Sequence, residues 1–309
     1  MINLLRAELL RTFSSRIMLL VAVVGLAVGC WSGMGQAAEA RPLSVTDVAE
    51  AEALRDEAVI IRHEACSAEY GSSDCGAQLI DATLEEFLRQ PTTFESLAVS
   101  TASFTGLLGL LAVVVAVTWV IGSEFSTGSL STQLTFTPRR LPLLWAKVLT
   151  STVASGAIMA WWLAAGLLIN VVIFLQLRGV HELLADPTLA LILLRYLVLG
   201  VWVGLLSALL TMAVGSTLRA WGLLASVLLL SQGVYGLLGS VRPWTTMLPT
   251  TNLAALLNGH WVDVLPTSSG LNLGEAHLSY AEASVYMACC TAVLVVWACL
   301  SFSRRDIRR

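Results

Sequence analysis

The stretch "SLAVSTASFTGLLGLLAVVVAVTWVIGS", residues 96–123, contains no charged side chain. The hydrocarbon core of a bilayer is about 30 Å thick, and roughly 20 helical residues cross it, so this stretch is long enough to span a membrane. A polar segment, "GSEFSTGSLSTQLTFTPRR" (residues 122–140), follows it, and a second uncharged run extends from Val148 to Leu177. The pattern predicts two membrane spans that are joined by a short polar connection.

The composition of the whole chain is that of a membrane protein. Of the 309 residues, 56 % are hydrophobic and only 13 % are charged, and the mean hydropathy is +0.77. Six apolar runs are long enough to cross a bilayer, and they cover residues 17–36, 97–122, 147–176, 188–215, 220–240 and 283–302. None of them alternates polar and apolar residues in the manner of a barrel strand. We therefore predict an all-α integral membrane protein with six transmembrane helices.

Acidic side chains are concentrated in one part of the chain. Between Glu39 and Glu95 lie 13 of the 21 Asp and Glu residues but only four arginines. Six spans would leave most of the other basic residues together on the opposite side: Arg6, Arg11, Arg16, Arg139, Arg140, Lys147, Arg219, Arg304, Arg305, Arg308 and Arg309. Cytoplasmic loops are enriched in Lys and Arg, so we expect both termini in the cytoplasm and the acidic segment outside the cell.

Residues 1–16 have an apolar stripe of their own before the first span. The stripe at helical spacing consists of Ile2, Leu5, Leu9 and Phe13. Arg6, Glu8 and Arg11 lie off that line, which is typical of a helix that lies in the membrane interface. An alternative is a cleaved signal peptide, because arginines precede an apolar run and small residues follow it.

Residues 37–97 are predicted to form a helical hairpin lobe outside the membrane. Asp47 and Glu50 resemble a capping arrangement at the start of its first helix, and a second helix is expected near residues 77–89. Cys66 and Cys75 flank a Gly-Ser-Ser turn between the two helices. Because this side is expected to be oxidising, we predict a disulfide between them, with two free thiols as the alternative.

Several kinds of chemistry are disfavoured by the residue types in the chain. All four histidines lie outside the spans, so no Ser and His pair can form a protease site within the bilayer. His260 with Asp263 and Glu275 with His277 are two loose pairs rather than a metal-ligand cluster. The only lysine, Lys147, follows "LPLLWA" instead of a glycine-rich loop, so the chain has no Walker A phosphate site. We expect a protein that is not an enzyme and holds neither a cofactor nor a metal.

The polar connection between spans two and three resembles a known signature. The residues that carry the resemblance are Glu124, Gly128, Ser129, Leu130, Pro138, Arg139, Arg140 and Lys147. They resemble the pattern of the ATP-binding-cassette type-2 transporter permeases: Glu, three residues, Gly, Thr, a short helical stretch, Pro, a small residue, Arg, and a Lys that opens the next span. Ser129 replaces the usual Thr and Arg139 replaces the usual small residue.

This resemblance implies that residues 1–309 form a single permease domain, the transmembrane subunit of an exporter. It implies separately encoded ATPase subunits that bind ATP and Mg, a second permease chain, identical or homologous, and a bacterial plasma membrane as the location. Nucleic acid is not expected as a partner. The apolar spans favour a hydrophobic substrate such as a drug, antibiotic, peptide or lipid. The alternative is a non-transporting membrane sensor or receptor whose acidic lobe binds a ligand or peptide.

Residues 123–142 would be the coupling loop of such a permease. Gly128 is expected to let the chain turn and pack closely, and Thr127 and Ser129 to bond backbone groups. Three side chains are expected to form an apolar knob that enters a groove of the ATPase: Leu130, Leu134 and Phe136. Arg139 and Arg140 would contact lipid headgroups. The alternative is a plain interfacial loop whose arginines only set the topology.

Residues 241–282, between the last two spans, are expected to contain a re-entrant segment. The part "PWTTMLPTTNLAALLNGHWVDVLP" (243–266) is interrupted by Pro249 and Gly259 and cannot cross the bilayer as one helix. It resembles the pair of short outer helices found in this permease family.

Four residues within the spans are candidates for a substrate pathway: Arg195, Trp161, Trp162 and Asn170. For Arg195 the favoured interpretation is a side chain that extends toward the outer membrane surface. For the tryptophans, packing and lipid contact are equally compatible with the sequence. Asn170 is expected to form a hydrogen bond across helices.

Overall fold

A computed structural model describes residues 2–70, 83–88, 92–136, 140–179, 187–238, 244–263 and 276–304. Within these ranges the helices are α1 Ile2–Phe13, α2 Arg16–Ala40, α3 Val45–Tyr70, α4 Leu84–Phe87, α5 Phe94–Ser126, α6 Ser129–Phe136, α7 Arg140–Arg178, α8 Pro187–Val214, α9 Thr217–Leu238, α10 Pro249–Asn258 and α11 Tyr280–Arg304. A 3-10 turn covers Trp244–Met247. Two short strands are β1 His260–Asp263 and β2 Ala276–Ser279.

Six of these helices are long and apolar enough to cross a membrane: α2, α5, α7, α8, α9 and α11. The prediction of a helical, multi-pass membrane protein is therefore confirmed. The boundaries of α7 differ from the prediction, since the helix begins at Arg140 rather than near residue 147 and is 39 residues long. At 1.5 Å per residue it measures about 58 Å, so it extends well beyond a bilayer core. Arg140, Pro142 and Lys147 interrupt its first two turns, so the length of the uncharged run did not identify where the helix begins.

The bundle has two ends, which we name by what they carry. At the termini end, a guanidinium nitrogen of Arg140, at the start of α7, donates to the carbonyl of Ser303 in the last turn of α11 (3.0 Å). Helix α1 packs at this same end, against α7. At the lobe end, Arg178 Nε donates to the carbonyl of Ala40 (2.9 Å), where α7 ends and α2 leads toward α3. Helix α1 and the end of α11 thus share one end, as six spans require; the cytoplasmic location of that end stays a prediction.

Close helix contacts hold the centre of the bundle together, with α7 packed against α2, α5 and α8. A methyl group added to Gly200 of α8 would lie 2.7 Å from Cγ of Met159 in α7. One added to Gly25 of α2 would lie 2.7 Å from the indole nitrogen of Trp162. Small residues let transmembrane backbones approach one another, and van der Waals packing rather than water exclusion stabilises such contacts.

The lobe begins with α3, and its start corrects one expectation. Ser44, not Asp47, precedes the helix: its backbone N–H and its hydroxyl both donate to Asp47 Oδ2 at 2.8 Å. The predicted capping pair of Asp47 and Glu50 was therefore wrong. The capping residue is Ser44, and Asp47, at the third helical position, is the carboxylate that reaches back to it.

The second helix of the lobe and the predicted disulfide are only partly within the described ranges. A short helix, α4, lies where the second helix was expected, and Arg62 of α3 pairs with Glu86 of α4 at 3.1 Å. Cys66 is not among the free cysteines of the described residues. Cys75 lies outside the described residues, so the Cys66–Cys75 disulfide stays a prediction.

The segment before the last span, from the 3-10 turn through β2, is called the outer segment below. It contains a two-stranded antiparallel sheet in which His260 pairs with Ser279, and this sheet was not predicted. Four-residue strands are too short for a periodicity signal. Gly259, at φ +86°, ends α10 in the left-handed conformation. Ala255, Leu256 and Leu278 pack into a buried cluster with residues of α5, α7 and α8. A re-entrant position in the membrane stays a prediction.

Candidate functional site

A buried ion cluster lies at the termini end of the bundle. Lys147 lies two turns into α7 and its side chain is only 3 % exposed. Its ammonium nitrogen is 3.0 Å from Glu8 Oε2 and 2.5 Å from Glu124 Oε2. The lysine thereby joins α1, which carries Glu8, to the end of α5, which carries Glu124.

Arg11 completes the ion cluster, which we define as Glu8, Arg11, Glu124 and Lys147. One guanidinium nitrogen of Arg11 is 3.2 Å from Glu124 Oε1, and another donates to the hydroxyl of Ser129 at 3.3 Å. The Arg11 side chain is 47 % exposed, so it forms the outer edge of the cluster. The side-chain amide of Gln133, in α6, donates to Glu8 Oε1 at 3.2 Å. Four helices, α1, α5, α6 and α7, therefore meet through these side chains.

The buried face of α1 differs from the predicted apolar stripe. Glu8 and Thr12, one turn apart, are buried, whereas Phe13 of the stripe is exposed. The Thr12 hydroxyl donates to the backbone carbonyl of Glu8 at 2.9 Å, so the threonine is satisfied within its own helix. Charge pairing explains the difference, because a buried ammonium group requires nearby carboxylates and Glu8 supplies one.

The ion cluster contains two carboxylates and two cations, so its formal charges cancel. Taking charged groups out of water is costly, and only close pairing and hydrogen bonding offset that cost. Movement of α1 away from α7 would leave Glu8 without its cation and would separate Arg11 from Glu124. The cluster therefore fixes the position of α1 relative to α5 and α7.

Only part of this site was predicted from the sequence. Glu124 and Lys147 belonged to the motif, and Glu124 was expected either to cap a helix or to pair with a cation, but Glu8 and Arg11 were assigned only to an interfacial surface. A signal was nevertheless present in the sequence. The chain has a single lysine, and among the acidic residues only Glu8, Glu124 and Asp306 fall on the side expected to be cytoplasmic. Few carboxylates were thus available to neutralise that lysine.

Gly128 forms the turn between α5 and α6 with φ +72°. This left-handed conformation explains the glycine, as expected. Close packing does not explain the glycine, since a methyl group added to Gly128 would meet only Ser131 Oγ, at 3.7 Å. The Thr127 hydroxyl donates to the carbonyl of Ser123 at 2.8 Å, and Ser129 accepts its bond from Arg11. The expected backbone bond is therefore made by Thr127, whereas Ser129 bonds to a side chain of α1.

The proposed apolar knob is corrected by the position of Leu130. This side chain is 1 % exposed and belongs to the central hydrophobic core, and Leu134 packs against the same core. Leu130 is therefore an internal anchor of α6 and cannot enter a groove on a partner. Within residues 126–135, the exposed side chains all carry hydroxyl groups: Ser126, Thr127, Thr132 and Thr135.

The basic corner of the motif is described only at Arg140. Its bond to the Ser303 carbonyl ties the start of α7 to the end of α11, so Arg140 contacts protein as well as any headgroup. Pro138 and Arg139 lie outside the described residues.

The two tryptophan candidates fasten α7 to α2. The indole N–H of Trp161 donates to the carbonyl of Ala22 (2.9 Å), and that of Trp162 donates to the carbonyl of Val21 (3.2 Å). Trp162 is 3 % exposed, whereas Trp161 is 46 % exposed. These contacts give both residues a role in helix packing; a role in a pathway stays a prediction.

Asn170 forms the cross-helix hydrogen bonds that were expected of it. Its side-chain amide donates to the hydroxyl of Thr101 and, at 3.5 Å, to the carbonyl of Leu97, both in α5. Thr101 in turn donates to Gln36 Oε1 in α2 at 2.6 Å. A chain of polar side chains thus joins α2, α5 and α7 toward the lobe end. Among the described residues, no group of three His, Cys, Asp or Glu side chains is arranged to hold a metal.

The fold and the six apolar helices define the class of this chain as a multi-pass helical membrane protein. A family model described as "Protein of unknown function (DUF2705)" matches residues 86–308, which is more than half of the chain. The chain therefore belongs to that family. The matched region contains Glu124 and Lys147 but not α1 with Glu8 and Arg11. No curated protein matches the chain, and no solved structure matches it.

Proposed function

We propose that this chain is the transmembrane permease subunit of an ATP-binding-cassette exporter in the bacterial plasma membrane. It would assemble with a second permease chain and with separately encoded ATPase subunits that bind ATP and Mg. Both termini would be cytoplasmic, and Cys66 and Cys75 would form a disulfide in the external lobe. The observation that supports the proposal most strongly is the ion cluster, because it links the motif-bearing α5–α6 connection to both α1 and α7.

The contacts at the termini end offer a path for mechanical force. Helix α6 is held to the core by Leu130, to α1 by the bond from Gln133 to Glu8, and to α5 by the Gly128 turn. Helix α1 continues into α2 after only Ser14 and Ser15. When the ATPase subunits close and push on α6 and α1, three spanning helices, α2, α5 and α7, would therefore move together. Rigid-body rocking of packed helices is an established form of conformational switching.

The surface that an ATPase would contact combines polar and apolar side chains. The α6 connection presents the hydroxyl side chains named above, and α1 presents Leu10, which is exposed. This surface replaces the leucine knob as the proposed docking site. Substrate would leave past the outer segment at the other end of the bundle, and the apolar spans favour a hydrophobic one.

Purification of the tagged full chain in mild detergent tests the proposal directly. We expect an ATPase with Walker motifs to purify with the chain, and compounds that are exported should stimulate its ATP hydrolysis. Isolation of the chain alone, or together with a histidine kinase, would contradict the exporter and favour a sensor with a ligand-binding lobe.

Glu124→Ala and Gly128→Trp should uncouple ATP hydrolysis from transport. We expect transport per ATP to fall at least about tenfold, since each change removes a charged contact or strains the turn between α5 and α6. Assembly should survive in Glu124→Ala, because Lys147 keeps Glu8 as its partner. Transport and ATP hydrolysis measured together in proteoliposomes would check this, with Glu57→Ala, which removes an exposed carboxylate of α3, as the control. Normal export by both variants would refute the coupling role.

A further inference from the structure

A groove on the lipid-facing side of the bundle lies between α8 and the start of α11. It has a volume of about 320 Å³ and is lined by Leu191, Leu194, Arg195, Val198 and Tyr280. Four of its five side chains are thus aliphatic or aromatic. The one charged side chain, Arg195, lies about 12 Å along α8 from its first residue, within a spanning helix.

Arg195 is held in place by contacts that do not neutralise it. Its guanidinium carbon is 5.8 Å from the centre of the Tyr280 ring. It also packs against Gly259, where an added methyl group would lie 2.6 Å from both terminal nitrogens. Within the described ranges Arg195 has no hydrogen bond and no ion pair to protein. Arg178, nearer the end of the bundle, instead donates to the carbonyl of Ala40.

Arg195 therefore has N–H donors that no protein group in the described ranges accepts from, and they lie in an apolar groove. A guanidinium group has five N–H donors in a planar fork. A charged side chain in a spanning helix is costly and normally has a partner, so it marks a functional site by default. The guanidinium of Arg195 lies over the face of the Tyr280 ring, and this contact fixes its orientation. The N–H groups at the edge of the guanidinium stay available to a ligand in the groove.

We propose that this groove binds an anionic phospholipid from the leaflet at the lobe end. The phosphate would accept hydrogen bonds from Arg195, and one acyl chain would lie along Leu191, Leu194 and Val198. Planar guanidinium groups match phosphate geometry and can bind it through two parallel hydrogen bonds. The groove volume is within the usual range of about 300–1,000 Å³ for ligand sites.

The bound lipid would join α8 to the outer segment, because Arg195 contacts both Gly259 and Tyr280. It would thereby stabilise the packing of α10 and the start of α11 against the bundle. This proposal does not depend on the exporter function, since its contacts all lie at the lobe end.

Native mass spectrometry of the full chain tests the proposal. The protein in mild detergent is given equal amounts of phosphatidylglycerol and phosphatidylcholine with identical acyl chains. We expect preferential retention of phosphatidylglycerol, and a decrease of at least about tenfold in that preference in Arg195→Gln. Arg195→Lys should keep part of the preference. Arg55→Gln removes an arginine of the lobe without touching the groove, and should behave as the unchanged protein.

A second variant tests the acyl-chain contact. Leu194→Trp should fill the groove and reduce binding of both lipids. An unchanged lipid preference in Arg195→Gln would overturn the proposal, as would displacement of phosphatidylglycerol by millimolar inorganic phosphate, which would indicate an anion site without an acyl-chain contact. If Arg195→Gln cannot be purified as a folded protein, unchanged binding in Leu194→Trp would overturn the proposal by itself.

Discussion

Lys147→Met is expected to lower the free energy of unfolding by about 3–5 kcal/mol, the usual cost of removing one partner of a buried ion pair. The variant would leave Glu8 and Glu124 buried, and only Glu124 would keep a cation, Arg11. Thermal unfolding of the detergent-purified protein would measure the loss. Removal of the partly exposed Arg11, as Arg11→Gln, should cost less than about 1 kcal/mol, because solvent screens that pair.

A combined variant separates lost charge pairing from lost packing. In Lys147→Met with Glu8→Gln and Glu124→Gln, no uncompensated carboxylate remains, and replacing a buried ion cluster by neutral groups is often close to neutral in stability. We expect this triple variant to regain most of the stability that Lys147→Met loses. Equal unfolding temperatures for Lys147→Met and the unchanged protein would show that the cluster does not hold α1 in place.

Trp162→Ala is expected to destabilise the bundle by about 3–5 kcal/mol, as for other buried large-to-alanine changes. The indole is buried between α2 and α7, where Gly25 packs closely against it, and its N–H donates to the carbonyl of Val21. The variant would leave a cavity and remove a hydrogen bond between α7 and α2 in the same contact. Thermal unfolding in detergent would again measure the effect.

Trp161→Ala is the matched control, because the neighbouring indole makes the same kind of bond to α2. Its ring is half-exposed, so lipid or detergent can replace much of the lost contact, and we expect a cost of about 1 kcal/mol, mainly from the hydrogen bond. Similar losses from both variants would contradict the assignment of Trp162 to the α2–α7 contact. A loss of transport in Trp162→Ala without a loss of stability would favour a pathway role instead.

The spans were predictable because they depend on a local property. Uncharged runs such as residues 96–123 identify helices by length alone, and α5 is found there. The same criterion failed for the start of α7, where Arg140, Pro142 and Lys147 interrupt the apolar run although the segment is helical. Packing against α1 and α11 stabilises this extension of α7 beyond the bilayer. The length of an apolar run gives no information about such packing.

The candidate site was only half predictable for a related reason. The motif identified Glu124 and Lys147, but the amphipathic pattern of α1 placed Glu8 only off the apolar line of an interfacial helix. Assigning the buried face of a helix from its apolar stripe assumes that only apolar residues are buried. That assumption fails for Glu8, because the buried Lys147 requires a carboxylate beside it. Leu130 shows the opposite error, since its side chain fills the chain's own core instead of a partner's groove.

Its uncharged runs alone identify this chain as a helical membrane protein with six spans and a polar connection after the second. These features follow from the length of each uncharged run, which is compared with the thickness of a bilayer. That length is a property of consecutive residues and needs no knowledge of the fold. Which groups neutralise one another depends instead on how the helices pack: Glu8 and Lys147 are 139 residues apart in sequence and 3.0 Å apart in space. Coulomb attraction depends on distance in space, so such a pair is defined only once the helices have packed.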